Sequence, residues 1–121
     1  MTDVEQVEEA IEQLASEHVE EVAAAMDYLR EHADDAHEAV LVALTEYRGD
    51  QPNLARLLGE WGRPESVDAL RDAVERGAYP LRYEAVRALA RHGDPQASTA
   101  LARLEESGEV EVRELVRRVR S

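Results

Sequence analysis

Apolar residues recur along the chain at the three- or four-residue spacing of amphipathic helices, and no segment alternates as a strand does. Glycines follow the periodic stretches and prolines open the next ones, which is typical of helix ends and first turns. The pattern predicts eight helices, over residues 3–15, 18–32, 35–48, 52–61, 64–76, 80–92, 95–107 and 109–120. The first two apolar stripes are Val4, Val7, Ile11 and Leu14, then Val19, Val22, Met26 and Leu29. We expect left-handed helix ends at Gly49, Gly62, Gly77, Gly93 and Gly108.

The second half of the chain contains an internal repeat with a period of 31 residues. When residues 57–90 are superposed on 88–121, identical residues align at nine positions, among them glycine, proline and arginine. Each period holds two helices and two turns, so the repeat predicts stacked helix pairs in a solenoid. The aligned pairs include Gly62 with Gly93, Pro64 with Pro95, Glu75 with Glu106, Gly77 with Gly108, Arg82 with Arg113 and Arg87 with Arg118.

One stretch of the repeat resembles a known family. The residues Leu81-Arg82, Ala88-Leu89-Ala90, Gly93-Asp94-Pro95 and Ala100-Leu101 are similar to the short HEAT repeat of the bilin-lyase type. We therefore expect an all-α fold, a right-handed α-solenoid of about four antiparallel helix pairs. Residues 1–121 form a single domain in this interpretation, with an atypical N-terminal pair at 1–33 and repeat units at 35–62, 64–93 and 95–121.

The resemblance also implies roles for individual residues. Arg82 and Arg113 stand where the family has an arginine that ties adjacent repeats together. Gly59 and Ala90 stand at a small-residue position where helices approach closely. Trp61 and His92 share a position at the end of the second helix, where we expect partly buried packing residues.

Charge sets this sequence apart from ordinary globular chains. It has 27 acidic and 14 basic residues, a net charge of −13, and all of its bases are arginine. Acid excess with arginine in place of lysine resembles the proteins of salt-in halophilic archaea, in which carboxylates keep a surface hydrated at molar salt. A GC-rich genome is the alternative, and it explains the arginines but not the charge. Residues 1–50 hold fifteen acids and two bases, so the whole excess lies in the first half.

Several kinds of chemistry are disfavoured by composition. The chain has no cysteine, which excludes disulfides, thiolate metal sites and a cysteine nucleophile. No apolar run approaches the roughly 18 residues of a membrane span, and the first thirty residues are too acidic for a signal peptide, so we expect a cytoplasmic protein without a membrane partner. The negative charge also argues against a nucleic-acid partner.

The chain has only four histidines that could bind a metal ion. HEAT-like deoxyhypusine hydroxylase holds two irons through four His-Glu dipeptides, whereas this chain has one, at His37-Glu38. His32, Asp34, Asp35 and His37 crowd one turn and could form a weaker metal cluster. The alternative is that the aspartates cap the third helix and the imidazoles are solvated. We expect no metal, no cofactor and no catalytic residues.

An arginine column is the strongest candidate for a binding surface. Arg56, Arg87 and Arg118 recur at the repeat period on the second helices, with Tyr83 and Arg91 one turn from Arg87. Such a column could receive an acidic segment of a partner protein, because guanidinium groups bind carboxylates in bidentate fashion. The alternative is that these arginines pair within their own helices, as Arg56 with Glu60 or Arg118 with Glu114.

These observations favour a non-catalytic adaptor or scaffold that binds an unidentified protein through the concave surface of the solenoid. One alternative is a regulatory or accessory subunit of a modifying enzyme of the lyase-associated type. A metal-dependent enzyme is the third, and least favoured, class.

Overall fold

The computed structural model describes residues 3–49 and 51–121, and within them it contains helices and turns but no strand. Each predicted helix is present, with ends that differ from the predicted ones by at most three residues. A 3-10 turn at Pro64–Ser66 precedes the fifth helix. The helices are α1 (Asp3–Gln13), α2 (Val19–Glu31), α3 (Ala33–Thr45), α4 (Gln51–Trp61), α5 (Val67–Arg76), α6 (Leu81–Arg91), α7 (Pro95–Ser107) and α8 (Val110–Arg120).

The eight helices form two layers. The first helices of the pairs, α1, α3, α5 and α7, pack in that order in one layer, and the second helices, α2, α4, α6 and α8, pack in the other. Each first helix also packs against the second helix of its own pair. This arrangement is a stack of four helix pairs, and it confirms the predicted all-α solenoid.

Helix α6 lies at the centre of the fold. It packs against α4, α5, α7 and α8, and it buries residues on more than one face, as a helix between several neighbours must. Its contact with α4 is the most extensive between any two helices. Gly59 makes that contact possible, because a Cβ atom at Gly59 would lie 2.6 Å from the Cβ of Ala88. Ala90, the other predicted small-residue position, is exposed, so that part of the prediction is wrong.

Helix ends follow the predicted glycine rule only in part. Gly49 and Gly62 are left-handed, with φ of 65° and 61°. The prediction is wrong for Gly77, Gly93 and Gly108, which do not adopt positive φ. Lack of space for a side chain is the reason for glycine at two of them. A Cβ atom would lie 2.3 Å from the Ala73 carbonyl oxygen at Gly77 and 2.5 Å from that of Leu104 at Gly108.

The outer end of the N-terminal pair departs from the predicted stripes. Val7, Ile11 and Leu14 are buried, but Val4 is 72% exposed and Val19 is 78% exposed. Both valines lie in first turns that no other helix covers, so their place in a periodic stripe did not bury them. None of the described helices is long and apolar enough to cross a membrane.

Candidate functional site

The arginine column lies on the second-helix layer. Arg56 is on α4, Arg87 on α6 and Arg118 on α8, and all three are exposed. The helix contacts place α6 between α4 and α8, so the column crosses three neighbouring helices. The three arginines have different surroundings, and those surroundings decide what each can bind.

Arg56 is held in an ion pair within its own layer. Its Nε lies 3.6 Å from Glu60, one turn further along α4. Glu60 also accepts two hydrogen bonds from Arg30 on α2, at 2.9 and 3.0 Å, and these bonds lower the pKa of the Glu60 carboxyl below its ordinary value. The carboxylate therefore balances two guanidinium groups, and the alternative interpretation of Arg56 as a helix-internal partner holds.

Helix α6 carries aromatic rings next to its arginine. The Tyr79 and Tyr83 ring centroids lie 5.9 Å apart, and the guanidinium carbon of Arg87 lies 5.7 Å from the Tyr83 centroid. An aromatic face attracts a cation while leaving its outer side accessible. Tyr79 is 65% exposed and stands in the turn before α6, so it falls outside the helical spacing that the other residues share.

The counter-charge on α6 is Glu84. One of its oxygens lies 3.9 Å from Arg87 and the other 3.9 Å from Arg91, distances longer than a hydrogen bond. Its Oε2 is buried without a hydrogen-bond partner in the described part of the chain. Both guanidinium groups therefore keep donors that a carboxylate from outside could use.

Arg118 is the least engaged member of the column. The alternative, a pair with Glu114, does not form, and no ion pair of Arg118 is found among the described residues. Arg118 instead lines a shallow cavity of about 220 Å³ between α6 and α8. The other lining residues are Tyr79, Arg82, Glu111, Glu114 and Leu115. Arg87, Tyr83 and Arg118 thus leave accessible cationic and aromatic groups on adjacent helices.

Arg82 makes one contact within its own repeat and one with the next repeat. Its Nη2 donates to the Glu75 carbonyl oxygen at 3.2 Å, and its Nη1 lies 3.6 Å from Glu111 on α8. Arg113 occupies the equivalent position one repeat later. No carboxylate among residues 3–49 and 51–121 pairs with it, and its Nε is buried without a hydrogen-bond partner.

The family follows from a sequence comparison. A model described as HEAT repeats matches residues 50–119, which is more than half of the chain. The chain belongs to the HEAT repeat family. A search of curated proteins and a search of solved structures gave no match.

The end positions of two HEAT repeats differ in their contacts. Trp61 is partly buried against the core, with its ring centroid 5.9 Å from that of His37. His92 is buried, and its Nδ1 accepts a hydrogen bond from the Asp94 backbone N–H at 3.2 Å. Its Nε2 lies 3.1 Å from the Arg63 carbonyl oxygen, so the ring carries its proton on Nε2. His92 therefore joins the turns of consecutive HEAT repeats.

The histidines and aspartates around the turn between α2 and α3 have different surroundings. His32 stacks on Tyr28, Asp34 pairs with Arg63, and His37 is buried rather than solvated. Helix α3 begins at Ala33, so Asp34 and Asp35 lie in its first turn and do not cap it. In the part of the chain that the structure describes, no three histidine, aspartate or glutamate side chains are grouped to hold a metal ion.

His37 predicts a pH dependence of stability. Burial, together with the nearby charge of Arg63, lowers the pKa of His37 in the folded state, whereas the unfolded chain has the ordinary value of about 6.5. Between those two values the unfolded state binds more protons. The stabilisation is therefore complete above pH about 6.5 and is lost as pH falls towards the folded pKa. We expect the free energy of unfolding to fall on acidification, and to fall less in His37→Leu, as measured by urea denaturation at each pH. Equal slopes in the two proteins would contradict this assignment.

Proposed function

We propose that this HEAT solenoid is a non-catalytic adaptor that binds an acidic segment of a partner protein on its second-helix layer. HEAT repeats commonly mediate protein–protein interaction and are typically non-catalytic, and the second helices of such solenoids line a concave surface. The observation that carries the proposal is the row Tyr79, Tyr83 and Arg87 on α6 beside the unpaired Arg118 on α8.

The surroundings of the three arginines support different roles for them in binding a partner. Arg87 and Arg118 keep donors free for a carboxylate, whereas Arg56 is already paired with Glu60. Tyr79 and Tyr83 add apolar area with few rotatable bonds, which suits an interface residue. The acidic segment should therefore lie across α6 and α8 and contact α4 weakly.

The proposal includes the salt concentration at which this interaction takes place. We propose a cytoplasm of high salt, because the fifteen acids of residues 1–50 suit hydration there. Long-range attraction is screened within about 3 Å at 1 M salt. A contact that survives must be close and desolvated, and the weakly hydrated guanidinium group over an aromatic ring meets that condition.

The experiment is capture of the partner from cells of the source organism at high salt, followed by titration with the purified partner. We expect Arg56→Ala, Arg87→Ala and Arg118→Ala together to weaken binding at least about a hundredfold, since two good charge-assisted contacts are lost. Of the single variants, Arg56→Ala should have the smallest effect.

The matched control is a variant in which three acidic residues of α1 are replaced instead of the three arginines. Glu5→Ala, Glu9→Ala and Glu12→Ala together should leave the affinity nearly unchanged, because α1 lies in the other layer. Circular dichroism checks that both triple variants fold. Normal binding by the arginine variant would refute the proposed surface, and so would its unfolding, which would make the column structural.

A further inference from the structure

The outer side of α8 carries a row of three arginines. Arg113, Arg117 and Arg120 are spaced by four and three residues, so they lie on one side of the helix. Glu105 on α7 lies 4.0 Å from Arg117 and 3.1 Å from Arg120. One carboxylate therefore faces two of these guanidinium groups, and no described carboxylate pairs with the third, Arg113, so this side of α8 is locally positive.

The contact between α6 and α8 shows what the equivalent of Arg113 binds within the fold. Arg82 on α6 pairs with Glu111, the second residue of α8. Arg113 is the equivalent of Arg82 one period later, yet no described carboxylate pairs with it. Repetition of the same stacking would place, against Arg113, a helix with an acidic residue at its second position.

Helix α2 has that pattern and leaves the corresponding side uncovered. Val19-Glu20 opens α2 as Val110-Glu111 opens α8. Four residues after Glu20 comes Ala24, where α8 has Leu115, and both Glu20 and Ala24 are exposed. In α8 these two positions face the preceding repeat, since Glu111 pairs with Arg82 and Leu115 lines the cavity between α6 and α8.

The surface around Ala24 fits a helix. A groove of about 390 Å³ runs between α1 and α2, and its lining contains two alanines and two glutamines but one charged side chain, Glu9. Small residues allow helices to approach closely. Acids surround this floor, because α1 holds five acids and no base, and α2 holds four acids and one arginine.

We propose that the outer side of α8 docks on the α1–α2 end of a second copy of this chain. Glu20 of one copy then meets Arg113 of the next, as Glu111 meets Arg82 within the fold, and Ala24 packs beneath the arginine row. The two surfaces differ, so the contact is heterologous and propagates head to tail into an open row of copies instead of a closed dimer.

A charge swap tests this contact. Light scattering is measured over a range of protein concentrations, at the lowest salt at which circular dichroism shows the native helix content. The wild type should exceed its monomer mass of 13.5 kDa increasingly with concentration. Glu20→Arg alone and Arg113→Glu alone should each weaken association at least about tenfold, as expected when an interfacial ion pair is made repulsive.

The mixture of the two variants is the decisive sample. Equimolar Glu20→Arg and Arg113→Glu should associate, because the arginine introduced in one variant can pair with the glutamate introduced in the other, and the remaining contact is native. Arg117→Glu is the second test should Arg113→Glu fail to fold, because Arg117 is 63% exposed and lies in the same row.

Arg76→Glu on α5 is the matched control, since Arg76 is exposed and lies away from both ends of the solenoid. Its association should equal that of the wild type. A wild type that stays monomeric at every concentration would overturn the proposal, and so would failure of the mixed variants to associate or loss of association in the Arg76 control.

Discussion

Gly59→Val is expected to destabilise the protein by about 3 kcal/mol or more, the upper part of the range for overpacked cores. The Cβ atom at position 59 would lie 2.6 Å from the Cβ and 2.7 Å from the Cα of Ala88. Ala88 is part of the α6 backbone and cannot rotate away, so α4 and α6 must separate along the most extensive helix contact of the fold. Domain stabilities are typically about 5–15 kcal/mol, so this loss is a large share.

A smaller substitution at position 59 tests the close approach through the sign of its effect on stability. Glycine to alanine within a helix ordinarily stabilises by about 1 kcal/mol, but Gly59→Ala should destabilise here. Ala90→Val is the matched control, because Ala90 occupies the equivalent place one repeat later and is exposed. Chemical denaturation of the three variants measures these differences. A stable Gly59→Val, or equal losses at positions 59 and 90, would contradict the close approach.

Molar potassium chloride is expected to raise the melting temperature steeply. Residues 1–50 carry fifteen acids against Arg30 and Arg48, and each of these arginines already has carboxylate partners. The remaining carboxylates repel one another over about 30 Å at 0.01 M salt but over about 3 Å at 1 M. For a domain of this size, each kcal/mol gained raises the melting temperature by roughly 4 °C or more.

The gain should be greatest in α1, α2 and α3, because residues 51–121 carry twelve acids and twelve bases. Hydrogen exchange resolved along the chain measures it directly, with the two halves of the molecule serving as mutual controls. A melting temperature indifferent to salt, or exchange that slows equally in both halves, would contradict the halophilic interpretation.

The spacing of apolar residues, together with the glycines and prolines at helix ends, was enough to predict the helices, their pairing and the solenoid. These features depend on local spacing and on the 31-residue repeat, both of which are written in the sequence. The exposure of Val4 and Val19 was not predictable from periodicity, because burial requires a neighbour and the first turns of an end pair have none. The extended Gly77 and Gly108 were missed for a similar reason: contact with a carbonyl oxygen four residues earlier excludes a side chain there, and a left-handed turn is not involved.

The placement of the three arginines on the second helices was predicted, but their pairing was not. Repeat alignment placed Arg56, Arg87 and Arg118 on one surface, yet it could not distinguish an arginine paired with Glu60 from one left unpaired. Repeat alignment also could not show that Glu60 accepts hydrogen bonds from Arg30 on another helix. Tyr79 lies in a turn, so helical spacing could not identify it as part of the candidate site.

Hydrogen exchange of the complex with the captured partner tests the binding surface most directly. We expect slowed exchange in α6 and α8 upon binding, with a smaller change in α4 and little change in α5 and α7. We expect the arginine triple variant to lose this protection. Protection confined to the acidic helices α1 and α3, or to the first-helix layer as a whole, would contradict this binding surface.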